Sequence, residues 1–406
     1  MADAATYGRA RSEDDLAFIE GCTRLAFGVP ADLISPWVRQ WPADWRLLRN
    51  EAGERVACGM GNALSQHLGG RVLPGVGIAG VAVSPEHRGR GYARALMVGL
   101  MREAAGRGDL VALLYASTQS LYRSVGFEQA GYCFKARVPL ADLALSVARR
   151  PPEGLRVAPL PRGVSDEVRA VHRAFARLSS GPLDRGPYTW GRVESVRGDD
   201  RAGYGFYAPG GALEGYVYLA QSSALGPHGA ELLVSDLAFA TPRAAHALLR
   251  YLTTFATIAK EASFACGPTH PILLLLREQS YSIARYENWM MRVLRVEDAL
   301  RARGYLAASV EPFALEVDDD LLPANRGRWA LALRGGRAEV APLAPGEGAP
   351  GGAALRAPAG PLAMLLTGYQ SASQLAALGL LEGEGPALER ADAFFAGTTP
   401  WMSDMF

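Results

Sequence analysis

Gly80-Val81-Ala82-Val83-Ser84-Pro85-Glu86-His87-Arg88-Gly89-Arg90-Gly91-Tyr92-Ala93-Arg94 is the stretch that decides the fold. Its apolar start stops at Ser84-Pro85, where proline removes a backbone donor and ends a central strand. A glycine-spaced basic turn follows. Beyond it Ala93, Leu96, Met97 and Leu100 recur at helical spacing, which predicts a helix. Strand, Gly-rich turn and helix together aim free N–H groups and a helix N-terminus at an anion. Gly89 and Gly91 let the backbone approach a ligand, while Arg88, Arg90 and Arg94 bring charge suited to phosphate. An arginine-rich surface turn before an ordinary helix has the same composition, so the loop needs a second signal.

That signal follows the helix. Asp109–Ser117 reads as a buried strand, and Leu121-Tyr122-Arg123-Ser124-Val125-Gly126-Phe127 as a short helix closed by a glycine cap. Arg88-x-x-Gly91-x-Ala93 resembles the Arg/Gln-x-x-Gly-x-Gly/Ala pyrophosphate loop of the GNAT superfamily of N-acetyltransferases. The resemblance implies that the strand after the phosphate helix diverges from the loop strand and leaves a cleft for the pantetheine arm. It also implies that Tyr122, in a Leu-Tyr-x-x-x-Gly-Phe turn, protonates the departing thiolate. A phenol suits that role because it keeps its proton at neutral pH.

Composition narrows the class. The 406 residues predict two or three domains. With 42 basic against 41 acidic residues the formal charge is +1, which argues against a nucleic-acid or membrane-surface footprint. Met1-Ala2-Asp3-Ala4 lacks the basic start and apolar core of a signal peptide. Apolar runs such as Ile272–Leu276 are too short to span a bilayer. The expectation is a cytoplasmic protein with no nucleic-acid or membrane partner. Four cysteines without paired spacing (Cys22, Cys58, Cys133, Cys266) read as lone buried thiols, and the dispersed histidines give no metal-ligand pattern.

Ser12-Glu13-Asp14-Asp15 has the form of a capped helix start leading into Leu16–Leu25. An aromatic, proline-broken stretch runs from Phe27 to Trp45, in which Trp37 and Trp41 would share a helix face. Phe27, Trp37 and Trp41 are candidates for lining an acceptor pocket, with core packing as the competing reading. Arg46–Asn50 and Arg55–Leu64 are strand-like around a turn at Asn50–Glu54. Gly75-x-Gly77, just before the Val81 strand, marks a bulge or a close backbone approach.

Past Arg149-Arg150-Pro151-Pro152, read as a linker, the pattern partly repeats. Ser165-Asp166-Glu167 opens a helix over Val168–Leu178, and Asp236–Pro242 echoes Gly80–Pro85 before a helix over Arg243–Ile258. No Arg-x-x-Gly-x-Gly/Ala loop stands there, so this is a second acetyltransferase-like half that kept the architecture and lost the phosphate site. A third segment begins around Asn288–Leu294, with helix Val296–Arg303, strands Phe313–Val317 and Trp329–Arg334, and helices Leu362–Gly368 and Gln374–Leu381. Chain ends are ordinarily polar and frayed, whereas Trp401, Met402, Met405 and Phe406 are apolar, so this end is expected to dock.

Gly80-Val81-Ala82-Val83 running into Pro85-x-His87-Arg88-x-Arg90-Gly91, then Ala116-Ser117, Tyr122-x-x-x-Gly126 and a terminal phenylalanine, resembles the Eis (enhanced intracellular survival) family of aminoglycoside and amine N-acetyltransferases. The resemblance implies an α/β (α+β) chain of two tandem GNAT domains, 1–149 and 150–293, and a sterol-carrier-like domain, 294–406, assembled as homo-hexamers. It implies that Val81, Ala82, Val83, Arg88, Gly89, Arg90, Gly91, Tyr92 and Ala93 contact acetyl-CoA, with Ser117 nearby. Tyr122 would be the general acid and the Phe406 α-carboxylate the general base, without a metal. Transfer to a small-molecule amine, aminoglycoside or polyamine-like, would be direct and within a ternary complex. Two readings stay open beside it: an acetyltransferase for peptide lysines or N-termini, and a non-catalytic acyl-CoA or lipid scaffold.

Overall fold

A computed structural model describes residues 5–147, 154–223 and 230–406; the expected linker Arg149–Pro152 lies outside them. Two compact units emerge. The first joins residues up to Ala130 with Trp289–Gly397 and Phe406, and the second joins Gly131–Asn288 with Thr398–Met405.

The first unit begins with β1 (Thr6–Arg9), α1 (Glu13–Phe27), α2 (Ala31–Gln40), β2 (Trp45–Arg49), β3 (Arg55–Leu68), β4 (Arg71–Val83), α3 (Tyr92–Arg107), β5 (Val111–Tyr115) and α4 (Gln119–Arg123). Ser12 caps α1 as its sequence predicts. Its Oγ accepts from the Asp15 N–H at 3.2 Å, and the Asp15 carboxylate accepts from the Ser12 N–H at 3.3 Å. Such a cap contributes about 1 kcal/mol. Trp41 corrects the expected shared helix face: it falls just beyond α2 at φ −126°, ψ 49°. It precedes Pro42, whose ring disfavours helical backbone in the residue before it. The strands lie in the order β1-β2-β3-β4-β5, antiparallel except for β5, which runs parallel to β4. Leu96, Met97, Leu100 and Met101 of α3 bury against Val76, Ile78, Ala112 and Leu114 of the sheet. Burying such a side chain contributes roughly 1.5–3 kcal/mol.

The second unit takes β6 (Glu128–Pro139) from Gly131 onward. It continues with α5 (Leu140–Ser146), β7 (Arg156–Pro159), α6 (Asp166–Ala176), α7 (Pro187–Glu194), β8 (Ala202–Tyr207), β9 (Leu213–Gln221), β10 (Glu231–Phe239), α8 (Pro242–Thr253), β11 (Glu261–Cys266) and β12 (Ser282–Val293). Among its described residues β7-β8-β9-β10-β11-β6 lie in that order, with β10 and β11 parallel. The echo predicted from Asp236–Pro242 is therefore present. Its helix stops at Thr253 rather than Ile258, because the Thr253 and Thr254 hydroxyls donate back to the carbonyls of Arg250 and Tyr251.

Asn288–Leu294, where the chain is expected to turn into its third segment, forms the end of β12 together with Leu294. Residues Trp289–Val293 of that strand belong to the first unit and pair antiparallel with β5. Being buried on both faces, they show no period-two alternation in sequence. The chain then builds α9 (Val296–Ala302), β13 (Ser309–Asp318), β14 (Gly327–Arg334), β15 (Arg337–Pro342), β16 (Ala354–Pro358), α10 (Ala359–Thr367), α11 (Ala372–Ala377) and α12 (Gly385–Phe395). This part docks through buried polar groups. Arg292 donates to Asp319 at 2.6 Å, and Asn325 Nδ2 donates to the Val293 carbonyl at 3.2 Å. The three expected segments are thus grouped into two units, the third packed with the first.

All four cysteines are buried and unbonded. Folding nevertheless brings Cys22 of α1 and Cys58 of β3, distant in sequence, within hydrogen-bonding reach.

Candidate active site

The site forms where β4 and β5 part. They are paired in register only over Gly75–Gly77 and Val111–Leu113, after which β4 runs on to Val83 and β5 to Tyr115. A bulge drives the parting. Against Cys58 and Met60 of β3, β4 places Ala82 and Ala79, so Gly80 and Val81 oppose one residue. Gly80 sits at φ 62°, and a Cβ there would stand 2.6 Å from the Trp45 ring and 2.9 Å from the Trp37 ring. Only glycine satisfies both the backbone and the packing. Trp37 meets Trp45 edge-on, their centroids 4.9 Å apart.

Phe406 rests in the same region. Its ring lies 5.8 Å from that of Tyr115, and a Cβ on Gly77 would meet it at 2.9 Å. Asn62 is the register partner of Gly77. It is 2% exposed, and neither polar atom of its side chain has a hydrogen-bond partner among the described residues. Sequence reasoning passed over Asn62. The available signal was an amide inside an otherwise apolar and glycine-rich strand, a placement that costs roughly 1–3 kcal/mol unless something satisfies it.

Tyr122 is 6% exposed and sits in one apolar cluster with Tyr92, Val81, Val83 and Ala116, its ring 6.2 Å from Phe127. Burial pushes its phenol up to about 12, so it is fully protonated near neutrality.

The loop after β4 is open. A single turn at Pro85–His87 is followed by Arg88, Gly89, Arg90 and Gly91, all exposed. Gly89 (φ 75°) and Gly91 (φ 82°) take left-handed backbone, and no side chain caps α3. Arg88 Nε donates to the Val83 carbonyl at 3.3 Å, while none of Arg88, Arg90 and Arg94 is in an ion pair among the described residues. Uncapped N–H groups beside unpaired guanidinium groups fit a diphosphate. The second unit makes the contrast. There Thr241 Oγ1 accepts from the Ala244 N–H at 3.2 Å, so its own side chain occupies the start of α8.

Ala82 is buried on β4, Ala93 lies half-buried in the first turn of α3, and Ser117 is exposed just after β5. Trp41 is half-buried, and Phe27, the last residue of α1, is 43% exposed. The open basic loop, the diverging strands and the buried phenol of Tyr122 lie together in the first unit, with the Phe406 ring beside the strands.

Comparison with known proteins agrees with this geometry. Residues 9–130 and 181–296 each match a family described as an acetyltransferase (GNAT) domain, and residues 296–403 match one described as a sterol carrier protein domain. The N-acetyltransferase Eis of Mycobacterium tuberculosis is 30% identical over 342 residues, spanning 81% of this chain and 80% of that protein. A GCN5-related N-acetyltransferase from Anabaena variabilis superposes with a TM-score of 0.88 at 26% identity, covering 99% of this chain and 100% of that one. Eis1 of Mycobacterium abscessus shares the fold, with a TM-score of 0.77 at 22% identity over 99% of this chain and 100% of that one.

Proposed function

Because the chain belongs to the Eis family of N-acetyltransferases, we propose that it acetylates a primary amine of a small molecule, aminoglycoside or polyamine-like, by direct transfer with both substrates bound. The observation that carries this reading is the seat of Phe406 at Gly77 and Tyr115, where the strands separate beside the open loop. Acetyl-CoA, the acyl donor of GNAT enzymes, supplies the acetyl group.

Arg88, Arg90, the α3 N-terminus and the backbone around Gly89 and Gly91 hold the diphosphate. Backbone groups of Val81, Ala82 and Val83, past the point where β5 stops pairing, orient the pantetheine arm and polarise the thioester carbonyl. Tyr92, Ala93 and Ser117 border that path. The Phe406 α-carboxylate takes a proton from the amine as its nitrogen bonds to the acyl carbon. Tyr122 gives its proton to the thiolate as the C–S bond breaks. Trp37, with Phe27 and Trp41 further out, borders the acceptor side. Holding both reactants in place supplies much of the acceleration.

A thiol-release screen of aminoglycosides, polyamines and peptides tests the acceptor class. Turnover confined to peptides would overturn it. Initial rates with both substrates varied should give intersecting lines, and parallel lines would refute direct transfer. The homo-hexamer implied by the resemblance is part of the same reading, and sedimentation at micromolar concentration tests it. A cytoplasmic location is likewise expected. Among the described residues no helix is long and apolar enough to cross a membrane.

A further inference from the structure

In the second unit β10 and β11 pair in parallel only from Glu231–Glu261 to Val234–Phe264 and then part, as β4 and β5 do in the first. A bulge again accompanies the parting, because Tyr218 and Leu219 of β9 face Asp236 and Val234 and leave Ser235 as the extra residue. In an acetyltransferase fold this is the place of the pantetheine arm. Here the chain's own tail fills it. Trp401, 3% exposed, lies with Ser403 among Asp236, Leu237, Ala265 and His270. Its N–H donates to the Ser180 carbonyl at 2.9 Å, and the N–H groups of Tyr132 and Met402 exchange bonds of 3.0 and 2.9 Å with Pro400 and Tyr132. Its ring passes so near Gly267 that any side chain there would collide with it.

Three residues on, the tail meets a buried cation. Arg185, in the second unit, donates through Nε to Asp404 at 2.8 Å and through Nη1 and Nη2 to Asp236 at 2.5 and 2.8 Å. Tyr216 donates to the same Asp236 at 2.7 Å. The side chains of Arg185, Asp236 and Asp404 are 1%, 5% and 6% exposed. A buried charge-assisted network of this kind fixes one geometry, because misplacing a member leaves a charge without its partner.

We propose that the acyl-CoA cleft of the second unit has become the dock for the C-terminal tail, with Arg185 and Asp236 as positioning residues that clamp Asp404 and thereby hold the terminal carboxylate two residues on. The inference rests on the reading of Phe406 as the base. It gives the second unit a role in the reaction without a ligand of its own.

The test uses the full-length chain with Asp404→Lys, which opposes Arg185 with a like charge, and Asp404→Asn, which keeps an acceptor for the Arg185 N–H. Two readouts are taken: acetyltransfer kinetics, and removal of Phe406 by a carboxypeptidase followed by mass spectrometry. Asp404→Lys should speed trimming at least tenfold and lower kcat at least tenfold, with acetyl-CoA affinity within about twofold of the parent; Asp404→Asn should restore both. Unchanged trimming in Asp404→Lys overturns the clamp. Faster trimming with full kcat shows that the tail is clamped but is not the base, which overturns the positioning role and the base reading together. Loss of kcat in Asp404→Asn equal to that in Asp404→Lys, with trimming slow in both, also overturns it. As a control on the base reading alone, an extra glycine after Phe406 should lower kcat and leave tail docking intact.

Discussion

The ring of Phe406 occupies the space into which any side chain at residue 77 would project, with its Cδ2 and Cε2 2.9 Å from a Cβ built on Gly77. Leu64 bounds the same space at 2.6 Å. Gly77→Ala should therefore push the tail ring aside, with an overpacking cost of roughly 1–3 kcal/mol. The expected result is a lower kcat, a modest drop in Tm and unchanged acetyl-CoA affinity. Wild-type kcat in this variant would show that the ring's seat is irrelevant to turnover.

Arg88→Ala should weaken acetyl-CoA binding by about 1.5–3 kcal/mol, the worth of a charge-assisted contact to phosphate. Calorimetry should also find one site per chain, since Thr241 caps α8 and Trp401 fills the second cleft. A stoichiometry of two would contradict both.

Tyr122→Phe should lower turnover by ~10²–10⁴-fold with little effect on acetyl-CoA affinity, because only the proton is lost. Burial holds this phenol up at about 12. An acid must be protonated to act, so its activity would fail only as pH rises through that value. A pH–rate profile with an alkaline limb that disappears in Tyr122→Phe below pH ~10 would refute the assignment.

Trp37 lies over the bulge at Gly80 and against Trp45. Trp37→Ala should raise KM for the amine while leaving that for acetyl-CoA nearly unchanged. If both constants move together and Tm falls, the ring serves packing.

Asp404 gives a pH signature. Burial raises its carboxyl to about 6, against the pull of Arg185 and with the push of Asp236; Arg192 also lowers it. Because the folded value lies above the ordinary aspartate range, the stabilisation belongs to the protonated form and is lost as pH rises through about 6. Tm should therefore fall between about pH 4 and 6 more steeply in the parent than in Asp404→Asn. Identical slopes would remove Asp404 from that role. Tyr216, His172 and His270 also face this cluster, and His270 is held down at about 3 by burial, so it does not titrate in the same window.

The β4–loop–α3 unit was legible because its signals are local: a proline stop, two glycines and a helical period within a few turns of chain. The capping box at Ser12 and the echo at Thr241-Pro242 are local in the same sense. What stayed hidden depends on partners distant in sequence. Trp289–Val293 shows no alternation because both of its faces are buried, and only its pairing with β5 identifies it as a strand of the first unit's sheet. The cleft in the second unit shows no sign of being filled until the tail is seen against Gly267 and Ser180. Asn62 carries no motif at all and stands out only once its burial without a partner is measured.

The pairing of β5 with Trp289–Val293 also bears on how the chain is made. β5 is finished at Tyr115, yet the strand that covers its edge is synthesised only after Gly131–Asn288, the bulk of the second unit. The nascent first domain thus waits with an exposed row of backbone donors and acceptors on an apolar strand, the kind of edge that invites wrong pairing. Closing it requires a contact of very high sequence separation, which slows folding. A fragment ending near residue 149 should accordingly aggregate or bind chaperones. The same fragment supplied in trans with a peptide covering Trp289–Val293 should become more soluble.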